Sequence, residues 1–386
     1  MISFAKRISN VEEYYFSKKL AEVRKLDTPE LPVINLGIGS PDLSPPVSAI
    51  EALITTSRKS GVHGYQNYKG IPALRQAITE FSATTYGSVL DPETMVLPLM
   101  GSKEGIMHIM MAFVDEGDEV LIPDPGYPTY GSVAKLAGAT VRTYTMPVNV
   151  QELRSKDLSK VKIMWVNFPH MPTGVTASKE ELKQLVDLAR EKNFLLVNDN
   201  PYSLILNDDP QSILAVPGAF DVALELNSLS KSHSMAGWRI GWVAGRADYI
   251  DAVLRVKSNM DSGMYLGLQQ AAIAALKSAD LSLVNSEYRS RKIRAEDILD
   301  LLGCTYSKKQ SGLFVWAKAP AHVANVETWI DEILYDTKVF ITPGFIFGEA
   351  GNGYIRISLC ATADKLQEAA DRIELWVENK NIKAKS

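Results

Sequence analysis

Cysteine is scarce: Cys304 and Cys360 are the two that 386 residues offer, too few for a disulfide framework. Histidine is scarce as well. His63, His108, His170, His233 and His322 share no metal-ligand spacing, and no metal is expected. No apolar run approaches the roughly 18 residues that span a bilayer. The charged stretch Met1–Lys25 lacks the apolar core of a signal peptide. Neither sign of charge dominates: 41 Lys+Arg against 45 Asp+Glu leave a net −4, and no basic footprint for nucleic acid. Low-complexity segments and internal repeats are missing too, which excludes disordered, collagenous and coiled-coil chains. What remains is a globular, cytoplasmic chain with 46% hydrophobic and 22% charged residues, long enough for two or three domains.

Short apolar runs recur at Met95–Leu99, Glu119–Ile122, Val141–Tyr144, Ile163–Asn167, Phe194–Asn198, Val222–Leu226 and Ile240–Ala244. Several continue without alternation, the pattern of strands buried on both faces. Helical periodicity lies between them. Over Pro72–Tyr86 it aligns Leu74, Ile78 and Phe81. Ser178 and Glu181 form a capping box ahead of the stripe Leu182, Leu185, Val186 and Ala189. Met107, Met110 and Met111 follow a helical spacing and read as core. Strands alternating with helices predict an α/β fold with a mostly parallel sheet, and ligands at the carboxyl ends of its strands.

Near residue 280 the character changes. A charged helix over Leu281–Leu302, a strand over Gly312–Ala317, a helix over Glu327–Thr337, a strand over Tyr354–Leu359 and a final helix predict a smaller α+β domain. The expected division is a large domain over 46–280, with 1–45 and 281–386 forming the small one.

Four loops carry chemistry. Ser228-Leu-Ser-Lys231-Ser-His-Ser-Met-Ala-Gly-Trp-Arg239-Ile-Gly241 follows an apolar run. Its lysine, flanked by small hydroxyl residues, is suited to form a Schiff base where its pKa is depressed. Val197-Asn-Asp199-Asn-Pro-Tyr202 ends the preceding run, and an Asp there could keep a pyridine nitrogen protonated. Met100-Gly-Ser102-Lys103-Glu-Gly105 turns from strand to helix and offers free N–H groups to phosphate. Gly353-Tyr-Ile-Arg356-Ile-Ser358 puts an arginine on an apolar strand, where it needs an anion. Taken singly, these also read as a solvated lysine, a helix cap, a tight turn and a structural ion pair.

As an ordered set, running from Asn35-Leu-Gly-Ile-Gly39-Ser-Pro-Asp42 to Arg356, these motifs resemble the fold-type I pyridoxal-phosphate enzymes of the class I/II aminotransferases. Gly101-Ser-Lys-Glu-Gly-Ile106, Pro123-Asp-Pro-Gly-Tyr127-Pro and Asn259-Met-Asp-Ser-Gly263 look most like the branch that contains LL-diaminopimelate aminotransferases. The resemblance implies an aspartate aminotransferase-like fold with a seven-stranded sheet, bound pyridoxal 5′-phosphate and a ping-pong exchange between an amino acid and a 2-oxo acid. Lys231 would carry the Schiff base and shuttle the proton. Asp199 would pair with the ring nitrogen, Tyr202 with the ring oxygen, and Tyr127 would stack on the ring. Ser102, Lys103, Ser228 and Arg239 would hold the phosphate, with Ser230 in support. Tyr65 would reach the phosphate of a second copy, which requires a homodimer with shared sites. Arg356 and Gly39 would bind the substrate carboxylate.

The chain departs from the family in one loop, Asn167-Phe-Pro-His170-Met171-Pro-Thr-Gly174. Met171 stands where the family has an Asn that donates to the ring oxygen, and a thioether cannot donate. Asn167, His170 or a water would supply the donor, or the loop merely keeps its shape. Pro169-His170 also matches β-eliminating C–S lyases of the same scaffold, which are the alternative. A remote third reading is a non-catalytic aminotransferase-like regulatory module, disfavoured because no stretch is left for a DNA-binding domain.

Overall fold

The computed structural model describes residues 2–9, 15–278 and 280–385. The apolar runs become the seven strands of one sheet: β1 (Val96–Leu99), β2 (Glu119–Asp124), β3 (Thr140–Thr145), β4 (Val161–Val166), β5 (Leu195–Asp199), β6 (Ala223–Ser228) and β7 (Gly241–Gly245). Their order is β1-β7-β6-β5-β4-β2-β3. All pairings are parallel except the two made by β7, which runs back between β1 and β6.

Side chains of β4 alternate between two cores. Ile163 and Trp165 join one, with Ile106, Val133 and Ile250. Met164 and Val166 join the other, with Leu74, Leu182 and Ala271. Helices therefore cover both faces: α3 (Pro72–Tyr86), α6 (Lys179–Lys192) and α8 (Leu266–Ser278) on one, α4 (Ser102–Phe113), α5 (Pro128–Leu136) and α7 (Ala247–Lys257) on the other. Burying each large apolar side chain contributes about 1.5–3 kcal/mol. Helix ends follow the sequence signals. Pro72 starts α3, and Gly87 ends it in the left-handed conformation at φ 73°. The Ser178–Glu181 capping box opens α6. Within α4, Met110 is buried as expected, but Met111 is 50% exposed.

Further elements build a third core. Strands β8 (Thr305–Tyr306), β9 (Phe314–Lys318), β10 (Thr342–Pro343) and β11 (Tyr354–Ser358) form an antiparallel sheet in the order β10-β11-β9-β8. Leu299 of α9 (Ser282–Leu301), Ile330 of α10 (Val326–Thr337) and Ile373 of α11 (Ala363–Lys385) pack on it. The early segment belongs here as well: Ile34–Asn35 pairs in parallel with Val339–Phe340. Helix α1 (Tyr15–Leu26) precedes it and packs Val23 against Leu334 and Phe340. No helix among the described residues is long and apolar enough to cross a membrane.

Candidate functional site

A cavity of about 550 Å³ opens where the carboxyl ends of the large sheet's strands meet the small sheet. The sequence-predicted residues line it except His170 and Tyr65, the latter 92% exposed elsewhere on the chain. Among the described residues, Lys103, Lys135, Lys231, Arg239 and Arg356 face it against one carboxylate, Asp199. Such a balance suits a ligand with several negative charges.

The N-terminus of α4, the end of β6 and the Arg239 loop form one wall. Gly101 has φ +91°, and a Cβ there would lie 2.2 Å from Arg239 Nη2. Glycine alone lets the guanidinium approach the helix N-terminus. Arg239 Nη1 donates to the Ala236 carbonyl at 2.9 Å. Ser228 Oγ accepts from the Ser230 N–H at 3.1 Å and lies 2.9 Å from Ser230 Oγ. Two hydroxyls, a guanidinium and helix N–H groups make a cradle for a phosphate.

Asp199 closes β5, buried at 5% exposure. Its Oδ2 accepts from the Tyr130 hydroxyl at 2.8 Å, while Oδ1 is buried without a partner. Burial pushes its carboxyl up to about 6; the Tyr130 hydrogen bond and the Lys231 charge pull the other way. An unpartnered buried carboxylate oxygen beside a phosphate cradle fits the N–H of a pyridinium ring, so these residues suit pyridoxal phosphate. Tyr130 was not visible as a functional residue in the sequence. It stacks on Trp165 with centroids 4.9 Å apart and meets Tyr127 edge-on at 5.5 Å. Its spacing of three from Tyr127 in a helical stretch was the available signal.

Lys231 donates to the Gly39 carbonyl at 2.7 Å and stands 5.9 Å over the Tyr202 ring. Burial holds its pKa down, helped by Arg356 and Arg239 and opposed by Cys360 and Asp199. Gly39 must be glycine, because a Cβ would sit 2.3 Å from the Phe314 ring.

Arg356 on β11 is buried at 5% exposure and no carboxylate among the described residues pairs with it. Nη2 donates to the Gly37 carbonyl at 2.8 Å, and Nη1 to Met171 Sδ at 3.3 Å. Phe314 and Phe347 flank the guanidinium at 3.8 and 4.5 Å. Burial lowers its pKa to about 10. These rings, with Tyr15 and Phe16 of α1, complete the cavity. Sequence reading missed all four, since they converge from distant stretches.

The Met171 loop decides between the substitutes expected there. His170 does not line the cavity: its Nδ1 lies 2.8 Å from Thr173 Oγ1, and burial pushes its pKa down to about 3. Asn167 does line it. Its Oδ1 accepts from the Met171 N–H at 2.7 Å, and its amide donates to the Asp199 carbonyl. That uses one of its two amide hydrogens.

A second polar cluster lies outside the cavity. Ligand atoms of Glu104, His108 and Asp261 fall within 4.8 Å of one another. Lys257, 2% exposed, donates to Asp261 at 2.8 Å and supplies the counter-charge.

Comparison with known proteins accords with this geometry. A family profile described as aminotransferase class I and II matches residues 32–373. An LL-diaminopimelate aminotransferase of Dehalococcoides mccartyi is 38% identical over 96% of this chain and 98% of its own. One of Aquifex aeolicus is 36% identical over 97% and 99%. Substrate-bound BacF from Bacillus subtilis superposes with a TM-score of 0.91 at 30% identity, covering 97% of this chain and 98% of that one. Aspartate aminotransferase from Thermotoga maritima does so at 0.89 and 29%, covering 97% and 100%.

Proposed function

Since the chain belongs to the class I and II aminotransferases, we propose that it passes the amino group of an L-amino acid to a 2-oxo acid by a ping-pong mechanism, with Lys231 as the reacting lysine. The enzyme depends on pyridoxal phosphate. When bound, that group supplies an aldehyde for the amino group and a protonated ring that draws off the electrons left at Cα.

The residues divide the remaining work. Ser102, Lys103, Ser228, Ser230, Arg239 and the α4 N-terminus hold the phosphate. Asp199 Oδ1 holds the ring nitrogen's proton, and Tyr130 keeps Asp199 ionised and oriented. Tyr202 and the second amide hydrogen of Asn167 would serve the ring oxygen, and Tyr127 would cover the ring. Lys231 is buried with a lowered pKa, which favours the neutral amine that takes a proton from Cα. Arg356 receives the α-carboxylate, and the surrounding aromatic rings exclude water. One observation carries the reading: Asp199 Oδ1, Lys231 and Arg356, none with an anionic or cationic side-chain partner among the described residues, face one cavity.

The relatives named LL-diaminopimelate aminotransferase make LL-diaminopimelate the proposed donor. After phosphate and α-carboxylate are accommodated, Lys135 is the cavity-lining lysine proposed to meet a distal carboxylate. The proposed division at 46–280 against 1–45 plus 281–386 is supported by the small-sheet core, which draws mostly on residues outside 46–280 but also takes in Met171, Tyr202 and Ile205. A homodimer, with Tyr65 of each copy at the other's phosphate, is supported by its exposure in the single chain. A cytosolic setting agrees with two unbridged cysteines. Elimination loses its motif-level support, because His170 is outside the cavity.

The test is the visible spectrum of the protein loaded with pyridoxal phosphate. A yellow band that Lys231→Ala abolishes is expected. LL-diaminopimelate alone, without an oxo acid, bleaches it to the amine form. Release of pyruvate and ammonia from a cystathionine-like amino acid, whose Cβ carries a sulfur leaving group, with the band retained, would favour the lyase. A protein that takes up no pyridoxal phosphate would overturn the enzymatic reading.

A further inference from the structure

The Gly37–Asp42 segment supplies carbonyls to both reacting side chains: Gly37 to Arg356 and Gly39 to Lys231. Its first half is pinned to β11, where the Ser358 N–H donates to Leu36 O at 2.8 Å and its hydroxyl to Ile38 O at 2.7 Å. The far half is held differently. Asp42 takes a bidentate pair from Arg291 of α9, at 2.6 and 2.9 Å.

Arg291 is 2% exposed and uses all of its nitrogens. Nε donates to Glu287 at 2.7 Å, and Nη1 also donates to the Leu359 carbonyl at 3.1 Å. Leu359 lies three residues beyond Arg356. One guanidinium therefore ties the segment that touches Lys231 to the strand that carries Arg356. Its planar fork fixes both at once, which a lysine ammonium does not reproduce.

We propose that Arg291, through Asp42 and the Leu359 carbonyl, is a positioning residue that sets the spacing between Lys231 and the carboxylate-binding Arg356. It does not line the cavity. The inference rests on the assignment of Lys231 and Arg356 made above. Leu43 packs on the small-sheet core, so the segment stays docked when the ion pair is lost but loses its register. The damage then falls on carboxylate binding, while the phosphate cradle, built from the large sheet, is untouched.

The test compares Asp42→Asn, Arg291→Lys and Arg291→Met holoenzymes. Asp42→Asn and Arg291→Met raise KM for LL-diaminopimelate, or for whichever amino acid converts the wild type, on the order of tenfold, with kcat falling less. KM for the oxo acid rises in parallel. The dissociation constant for pyridoxal phosphate, read by its absorbance on titration into the apoprotein, stays unchanged. Arg291→Lys recovers part of the loss. The double variant Asp42→Asn/Arg291→Met is no worse than the poorer single one. Unchanged KM values, whatever the melting temperature, would overturn the proposal. So would a loss of cofactor affinity equal to the loss of substrate affinity. Failure of the underlying assignment looks different: Lys231→Ala would keep the visible band, or Arg356→Lys would leave KM unmoved.

Discussion

The Met171 sulfur lies 3.3 Å from Nη1 of Arg356, and it is a weak acceptor for a strong donor. The guanidinium thus keeps most of its capacity for a carboxylate, while the cavity loses a side-chain donor at that position. Met171→Asn adds the donor. Its expected effect is a visible band that gives up its proton at lower pH than in the wild type. A spectral pH titration that does not move would remove Met171 from any role in setting that ionisation.

Tyr130→Phe deletes the hydrogen bond that offsets the burial of Asp199. The Asp199 pKa, already raised to about 6, climbs further, so less of the ionised form is present near neutrality. The variant is expected to lose roughly tenfold in kcat at pH 7 and less at pH 9. A deficit independent of pH would mean that the hydroxyl acts only on geometry.

Gly101→Ala places a methyl 2.2 Å from Arg239 Nη2, on a backbone at φ +91°. Arg239 must withdraw from the phosphate cradle. Affinity for pyridoxal phosphate is expected to fall by roughly 10–100-fold, the scale of a lost charge-assisted contact. Titration of the apoprotein with the cofactor measures it, and circular dichroism checks that the fold persists.

Burial pushes His233 down to about 4. A base with a depressed folded pKa adds stability that is present above its unfolded value of about 6.5 and lost as pH falls through 4. Unfolding free energy should therefore decline between pH 6.5 and 4, with His233 alone contributing a slope of up to ~1.4 kcal/mol per pH unit. His233→Asn keeps an acceptor for Ser232 and flattens that part of the profile. His170, pushed down to about 3, leaves a residual slope. Urea unfolding across this range would reveal equal slopes if His233 titrates normally.

Much of the fold was legible because its determinants are local. Several of the seven apolar runs do not alternate and so need two covered faces, and Pro72, Gly87 and Ser178 mark helix ends by backbone chemistry alone. The direction of β7 was not legible, since a strand buried on both faces carries the same pattern either way. The lysine and aspartate of the site stood out as charges just at or beyond the ends of apolar strands, and the arginine as a charge within one. Tyr130, Phe314 and Phe347 did not, because an aromatic residue in a core and one in a cavity wall look alike in sequence. Met111 failed for a related reason: a helical spacing names a stripe but not which neighbour covers it.

Gly37 and Arg356, joined at 2.8 Å, lie more than 300 residues apart. A ribosome making this chain delivers the first early and the second near the end. The large sheet, with its phosphate cradle and Lys231, is complete by Gly245. Arg356, to which we assign the carboxylate, waits for β11. The cationic wall that the small sheet gives the cavity is thus among the last parts of the site to be made.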